Sequence, residues 1–259
     1  DEHGWSEEGL YNFEGGCYAK TIRLSKLDEP EIWSACNRKG ATLENVVLKD
    51  GVPDFDDDSL TQNTRGSYPT SFIENSDELG YVNEHPKNII MLTCDAFGVL
   101  PPVIKLDAES AVEAFKLGYT AKIPGTESHV KEPSATFSPC FGLPFMPLPP
   151  QRYADILREK INKHGTACWL VNTGWTGGPY GKGKRIPIKV TRLIIDRILD
   201  GTLDNCDTVL HKYTKGDIPL FSDIDGNILL PEFGWEDIEE YANKCTQLMD
   251  LFEEEKKNI

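Results

Sequence analysis

Three things are missing from this 259-residue chain: any C-x-x-C pair, any apolar stretch near the ~20 residues of a membrane span, and any excess of positive charge. The 27 Lys and Arg stand against 42 Asp and Glu, a formal net charge of −15, which excludes a general nucleic-acid surface and makes any local cluster of cations stand out. The seven cysteines are scattered, and Cys94 and Cys168 sit inside apolar runs. That pattern excludes a disulfide frame or a cysteine zinc site and predicts buried, reduced thiols of an intracellular, cytoplasmic protein. No Ser-His-Asp or Cys-His constellation is present. His85, His129, His164 and His211 lie in polar, loop-like surroundings that predict solvated side chains. Internal repeats and low-complexity tracts are absent too. The opening DEHGW has neither Met nor a leader-like run, and it reads as the start of a piece cut from a longer polypeptide.

What is present is ample core material: 39% hydrophobic and 10% aromatic residues, enough for one large domain or two small ones. Residues 15–25 alternate as a half-buried strand does. LENVVLKDGVPDFDDDS reads as a hairpin about Asp50-Gly51. The runs 88–96 and 167–173 read as buried central strands. Between them, one helix starts after Asp107 and stops at Gly118, and another starts at paired prolines and stops at Gly165. A third, VTRLIIDRILDG, places Ile194, Ile195, Ile198 and Leu199 on one face. The last, from Trp235, carries Ile238, Tyr241, Leu248 and Leu251 as its apolar stripe. Strands, hairpins and helices interleave, so the class is mixed α/β or α+β.

Few segments could carry chemistry. GGPYGKGKR (177–185) spells G-x-x-x-x-G-K from Gly178, but Arg185 stands where a phosphate-binding P-loop has Ser or Thr. RIPIKVT follows, which reads as an extended segment and not the helix a P-loop needs. The loop is then either a flexible basic surface or a glycine-rich approach to a nucleotide or polyanion, with Lys182, Lys184, Arg185 and Lys189 concentrated on an acidic chain. Asp1, Glu2 and His3 offer ligands suited to Mg²⁺ or Mn²⁺. Arg65 follows the loop Asn63-Thr64, and Lys20 stands alone in GGCYAKTI, where an inward lysine would call for an anion. The run Asp54–Asp58 resembles metal bait but reads as a solvated strand edge.

Taken in order, DEHGW…NFEGGCYAKTIRLS, QNTRGSYP, LTCDAFGVLPPV, GYTAKIPGTE…EPSATFSPCFG and LVNTGWTGG…GKRIPIKVTR resemble the signatures of the ATP-dependent phosphoenolpyruvate carboxykinases. The resemblance covers residues 1–203, and the chain from Asp204 on diverges in sequence. It implies the C-terminal mononucleotide-binding domain of that fold, a mixed sheet with flanking helices over 1–259, with the N-terminal domain and the P-loop outside this sequence. It also implies the reaction of gluconeogenesis in which oxaloacetate and ATP become phosphoenolpyruvate, CO₂ and ADP, with Mn²⁺ and Mg²⁺ as cofactors. By the same resemblance Asp1 is a metal ligand, with Glu2 and His3 as its neighbours. Arg65 is catalytic and bridges the γ-phosphoryl group and the enolate. Lys20 and Glu29 line the nucleotide site, and Arg185, Ile186 and Thr191 contact adenine and ribose. Residues 119–142 resemble a mobile region that closes over substrate. The expected partners are these substrates and the N-terminal part of the same enzyme, with a homo-oligomer left open and neither nucleic acid nor membrane involved. A non-catalytic nucleotide-binding or regulatory module is the alternative; retention of Asp1 and Arg65 argues against it. A purely structural protein would leave the glycine- and lysine-rich loop unexplained.

Overall fold

The computed structural model describes residues 3–77, 79–122 and 132–259. They fall into two compact units, a smaller one within residues 3–86 and a larger one over 87–122 and 132–259.

The smaller unit is built of short strands: β1 (His3–Trp5), β2 (Leu10–Asn12), β3 (Gly16–Lys20), β4 (Thr42–Glu44), β5 (Val47–Lys49), β6 (Val52–Asp54), β7 (Arg65–Pro69) and β8 (Tyr81–Val82), with one helix, α1 (Pro30–Cys36). They form the sheets β1-β2-β8 and β3-β7-β4 and the hairpin β5-β6. That hairpin turns where both central residues take positive φ, 52° at Asp50 and 78° at Gly51. Such a turn twists with its strands, so the Asp-Gly signal read from sequence holds. The acidic run beside it is half engaged, since Lys49 reaches Asp54 at 2.5 Å and Asp57 at 3.3 Å. The strand expected over 15–25 stops at Lys20, because Leu24 N–H donates to Thr21 C=O (3.1 Å) and closes a turn. Leu24, Ala35, Cys36, Phe55 and Tyr68 form the core of this unit.

The larger unit contains β9 (Asn88–Thr93), β10 (Val103–Leu106), α2 (Ala108–Leu117), β11 (Tyr119–Lys122), β12 (Ser134–Phe137), α3 (Pro150–His164), β13 (Ala167–Asn172), β14 (Trp175–Thr176), β15 (Lys184–Arg185), α4 (Ile188–Leu199), β16 (Thr208–Leu210), β17 (Asp217–Pro219), α5 (Gly226–Leu229) and α6 (Ile238–Lys256). Its main sheet runs β16-β17-β10-β13-β9, and only β13 and β9 are parallel. Alternate residues feed two cores, as a pleat of period two requires. Val103, Trp169, Val171 and Ile218 pack with Ile194 and Ile198 of α4, while Ile104, Leu106 and Cys168 pack with Val112 and Ala154 of α2 and α3. The mixed α/β class is therefore the observed one. β13 lies inside the sheet as expected. β9 pairs only with β13 among the described residues, and its Leu92 is 56% exposed.

Caps explain where the helices stop. Asp107 accepts the N–H of Ser110 at 2.7 Å to start α2, and Gly118 ends it in the left-handed region (φ 53°). Gly165 ends α3 the same way. Four expectations are corrected. The segment after Arg185 is helical from Ile188, because Pro187, extended at ψ 141°, serves as the N-cap and burial of Ile194 and Ile198 outweighs the β-branched first turn. On that helix Leu199 faces solvent; on α6 the stripe is Tyr241, Cys245 and Leu248, with Ile238 exposed and Trp235 lying before the helix. His211 is buried, not solvated. His129 and the residues 123–131 of the expected mobile region lie outside the described residues; on either side of them β11 and β12 pair in register from Tyr119↔Phe137 to Lys122↔Ser134. All seven cysteines are free, five of them buried, with Cys17 and Cys206 half-exposed. No helix among the described residues is long and apolar enough to cross a membrane.

Candidate functional site

In the larger unit the parallel strands β9 and β13 end side by side, and the carboxyl ends of parallel strands are where α/β sheets commonly place ligands. Two buried polar side chains tie those ends together. Asn172 accepts the N–H groups of Asp95 (3.0 Å) and Gly174 (2.8 Å) and donates to Leu100 C=O (2.9 Å). The fully buried Asp95 carboxylate accepts the N–H groups of Phe97 (2.9 Å), Val99 (2.7 Å) and Leu100 (2.9 Å) and the Tyr119 hydroxyl (2.9 Å). Burial pushes its carboxyl above the ordinary range, while those backbone donors pull the other way by favouring the ionised form. In the sequence Asp95 is visible only as part of the motif LTCDAFGVLPPV. Its signal was an Asp at a strand end followed by a turn glycine, Gly98 (φ 74°).

From this turn the chain leaves as the hairpin β14-β15, which pairs Trp175 with Arg185 and Thr176 with Lys184. Its loop is tight for a reason visible in the backbone: a Cβ on Gly183 would run into the carbonyl oxygen of Gly178, and Gly177, Gly178 and Gly181 all have positive φ. The loop is pinned by Tyr180 N–H to Ala96 C=O (3.0 Å) and by Tyr180 standing edge-on to Trp175. Lys182 is drawn to Glu240 of α6 (2.6 Å), so one of the four cations noted in the sequence is already paired. Arg185 is held differently. Its Nε donates to Thr173 C=O (3.1 Å), its guanidinium lies 5.4 Å from the Trp175 ring centre, and it makes no ion pair among the described residues. Burial raises the Cys94 thiol pKa, and the Arg185 guanidinium beside it pulls it back. Thr173, Trp175 and Cys94 are supports that sequence spacing did not reveal.

A cavity of about 730 Å³ opens beside this hairpin, with Lys184, Arg185 and the glycine backbone on one wall and Asn227, Glu236 and Glu240 on another. Ile186 and Thr191 are not among its lining residues. Ile186 is buried, with its N–H on Gly174 C=O (2.8 Å), and Thr191 lies in the first turn of α4. The structure therefore brings Arg185 alone of these three to the cavity.

In the smaller unit, β7 lies between β3 and β4, so Arg65 has Lys20 as its cross-strand partner on one side and Glu44 on the other. Two expected site residues are thus brought together. Lys20 is exposed rather than inward, because the alternation of β3 turns it and Tyr18 to the solvent face. Arg65 is half-buried, 5.9 Å from the Tyr18 ring centre, and its guanidinium makes no hydrogen bond or ion pair among the described residues. Glu44 takes the Tyr18 hydroxyl instead, a bond that raises the Tyr18 pKa. Glu29 is half-buried at the N-cap of α1, and its side chain makes no capping bond. Asp1 and Glu2 lie outside the described residues, and His3 is exposed in β1. Among the described residues no three His, Cys, Asp or Glu side chains are grouped to hold a metal ion.

Paired parallel strand ends, a glycine-tightened hairpin and two arginines without ion-pair partners on an acidic chain make this an α/β protein equipped to receive anionic ligands. A family model described as phosphoenolpyruvate carboxykinase matches residues 1–224. Curated relatives named phosphoenolpyruvate carboxykinase (ATP) include those of Agrobacterium fabrum, 55% identical over 254 residues, and of Rhizobium rhizogenes and Brucella suis, each 52% identical. In each case the match covers 97% of this chain and 47% of the relative. The chain belongs to the phosphoenolpyruvate carboxykinase family, and it spans about half the length of the curated relatives it matches. The likeness also runs past residue 203, where the motifs legible in the sequence end.

Proposed function

We propose that this chain is the nucleotide-binding portion of an ATP-dependent phosphoenolpyruvate carboxykinase, a carboxy-lyase that is complete only with its N-terminal part. The reaction takes oxaloacetate and ATP to phosphoenolpyruvate, CO₂ and ADP. Loss of CO₂ leaves the enolate of pyruvate, and its oxygen attacks the γ-phosphoryl group as ADP leaves. Catalysis of such a transfer is mostly positioning and charge neutralisation.

The observation that carries this reading is the unpaired, half-buried guanidinium of Arg65. A chain with 42 acidic residues would ordinarily offer such a group a carboxylate, and here the cross-strand one, Glu44, is bound to Tyr18. A planar cation held ready in this way suits bidentate binding of a phosphoryl group and an enolate at once. Lys20 on the adjacent strand adds a second cation for the nucleotide, with Glu29 as a further contact. Arg185 covers the adenine from the cavity wall, with Ile186 and Thr191 as the further contacts the family resemblance implies, although neither lines that cavity. Mn²⁺ and Mg²⁺ are the proposed metals. Asp1 is the ligand this chain would supply, shared with residues of the N-terminal part of the enzyme. The cytoplasm is the proposed compartment.

The test is phosphoenolpyruvate formation from oxaloacetate and ATP by the full-length protein, compared with Arg65→Ala. The variant should lose about 3–4 kcal/mol of transition-state stabilisation, on the scale seen when one such donor is removed. Turnover equal to the parent would remove Arg65 from its assigned role. An active protein in which both Arg65→Ala and Arg65→Lys are silent would favour the non-catalytic reading of this chain.

A further inference from the structure

The chain past residue 224, where the match to the family model ends, comes back to the glycine-rich loop at three points. Trp235, buried just before α6, donates its Nε1–H at 2.9 Å to the carbonyl of Gly98, 137 positions away. Gly98 in turn abuts the loop, because a Cβ built on it would lie 2.0 Å from the carbonyl oxygen of Gly178. Beside Trp235, the backbones of Gly234 and Gly177 touch, and a Cβ on Gly177 would lie 3.0 Å from the Gly234 carbonyl oxygen. Farther along, Glu240 takes the ammonium of Lys182 at 2.6 Å. Asp237 fixes Glu240 by capping α6, accepting the N–H groups of Glu239 (2.8 Å) and Glu240 (3.2 Å). Trp235, Glu240, Lys182 and Arg185 line one and the same cavity.

The loop needs such holding. β14 and β15 share only two residue pairs, and a short hairpin by itself is marginal in water. Glycine has more conformational freedom to lose than any other residue, so the segment 177–183 has many competing shapes. The bonds it makes within itself are local, from Lys182 and Gly183 N–H to Pro179 C=O (3.0 and 2.8 Å). Tyr180 N–H ties one side of the loop to Ala96. Trp235, through Gly98, and Glu240, through Lys182, supply ties from the other side.

We infer that residues 234–240 form a clasp on the nucleotide loop, with Trp235 and Glu240 as positioning residues that keep the Arg185 hairpin in its ligand-binding shape; the inference rests on Arg185 as the adenine contact. Loosening the clasp lowers the fraction of molecules whose loop has that shape, and ATP affinity falls in the same proportion. Turnover at saturating ATP does not fall with it, because bound nucleotide draws the loop back to the competent shape. A contact that served stability alone would leave ATP affinity where it was.

The experiment measures ATP affinity by calorimetry, with KM for ATP and kcat, on the full-length protein and its variants. Trp235→Phe keeps the ring and removes only the N–H; it should weaken ATP by roughly three- to thirtyfold, within what one orphaned buried carbonyl costs. Glu240→Lys and Lys182→Glu act where neither side chain is buried, so folding is not at stake. Each should weaken ATP by roughly three- to tenfold, the scale of an exposed pair turned to repulsion, and the double exchange should restore most of the loss. In all of them kcat at saturating ATP should stay within about twofold of the parent. Parent-like ATP affinity in Trp235→Phe, tighter ATP in Glu240→Lys, a double exchange that rescues nothing, or a loss of kcat with KM for ATP unchanged would overturn the clasp. Arg185→Ala separates the two readings: if it too leaves ATP affinity unchanged, the adenine contact falls and the clasp with it, whereas if it alone weakens ATP, only the clasp falls.

Discussion

Asp95 offers the most direct check on how the strand ends are held. Asp95→Asn keeps the shape of the side chain, so no cavity opens and packing stays constant. What changes is acceptor capacity. One carboxylate oxygen now takes Phe97 N–H and Tyr119 O–H, and the other takes Val99 and Leu100 N–H at 2.7 and 2.9 Å. An amide keeps only one of these oxygens. If it retains the first, its NH₂ group faces the two donors of Val99 and Leu100, both of which are about 1% exposed. A hydrogen bond to a charged acceptor is worth about 1.5–3 kcal/mol, so losing two costs about 3–6 kcal/mol locally. Global unfolding of a multi-domain polypeptide does not report this cleanly. Amide hydrogen exchange over residues 95–100 does, because it reads the opening of one turn. Exchange in the variant should accelerate on the order of a hundred- to ten-thousandfold. Nucleotide affinity should fall with it, since Trp175 N–H and Tyr180 N–H both hang on this turn (Asp95 C=O, 2.8 Å; Ala96 C=O, 3.0 Å) and carry the hairpin of Arg185. Protection unchanged within about threefold, less than 1 kcal/mol, would refute the assignment of these bonds as the turn's support.

Arg185→Ala should weaken ATP binding by roughly five- to thirtyfold, the value of about 1–2 kcal/mol for a cation over an aromatic base, with a smaller effect on turnover at saturating ATP; equal affinity by titration would remove it from the adenine site. His211 sets a pH dependence. Burial, aided by Lys215, lowers its pKa from 6.5 to about 4, so the unfolded chain binds a proton between these values that the folded chain does not. Stability from this residue is therefore complete above pH 6.5 and falls as pH drops toward 4, by up to roughly 3 kcal/mol. His211→Gln should flatten the melting-temperature profile in that window, and a profile with the same slope in parent and variant would contradict the burial argument.

Much of the scaffold could be read from local chemistry. Asp107 and Gly118 bracket α2 in the sequence because capping depends on residues a few positions away, and the Asp50-Gly51 turn depends only on which residues tolerate positive φ. The apolar run of β13 announces burial in the same way, whereas that of β9 belongs to a strand at the end of the sheet order. The arginines were legible too, but only as motifs; their condition was not. That Arg65 stands beside Lys20 while Glu44 is bound to Tyr18 depends on the register of β3, β7 and β4, in which Glu44 and Arg65 are 21 positions apart. The engagement of Lys182 by Glu240, 58 positions away, follows from where α6 docks, and no spacing rule contains it.

The failures have the same origin. Ile188, Val190 and Thr191 favour strands by propensity, yet they begin α4 because Ile194 and Ile198 bury against the sheet and a few tenths of a kcal/mol per residue cannot oppose that. His211 sits in a polar stretch of sequence but is folded beneath Tyr213 and Tyr241. Whether Lys20 faces in or out was not legible from spacing; the pleat of β3 turns it out, since one residue of register decides the face. The sequence by itself determined the class of fold, the limits of α2 and α3 and the family, because these rest on composition, caps and long motifs. Only the tertiary structure decided which charges are left unpaired and which cavities they line. Electrostatic pairing is a matter of a few ångströms between segments far apart in the chain, and that distance is set by packing.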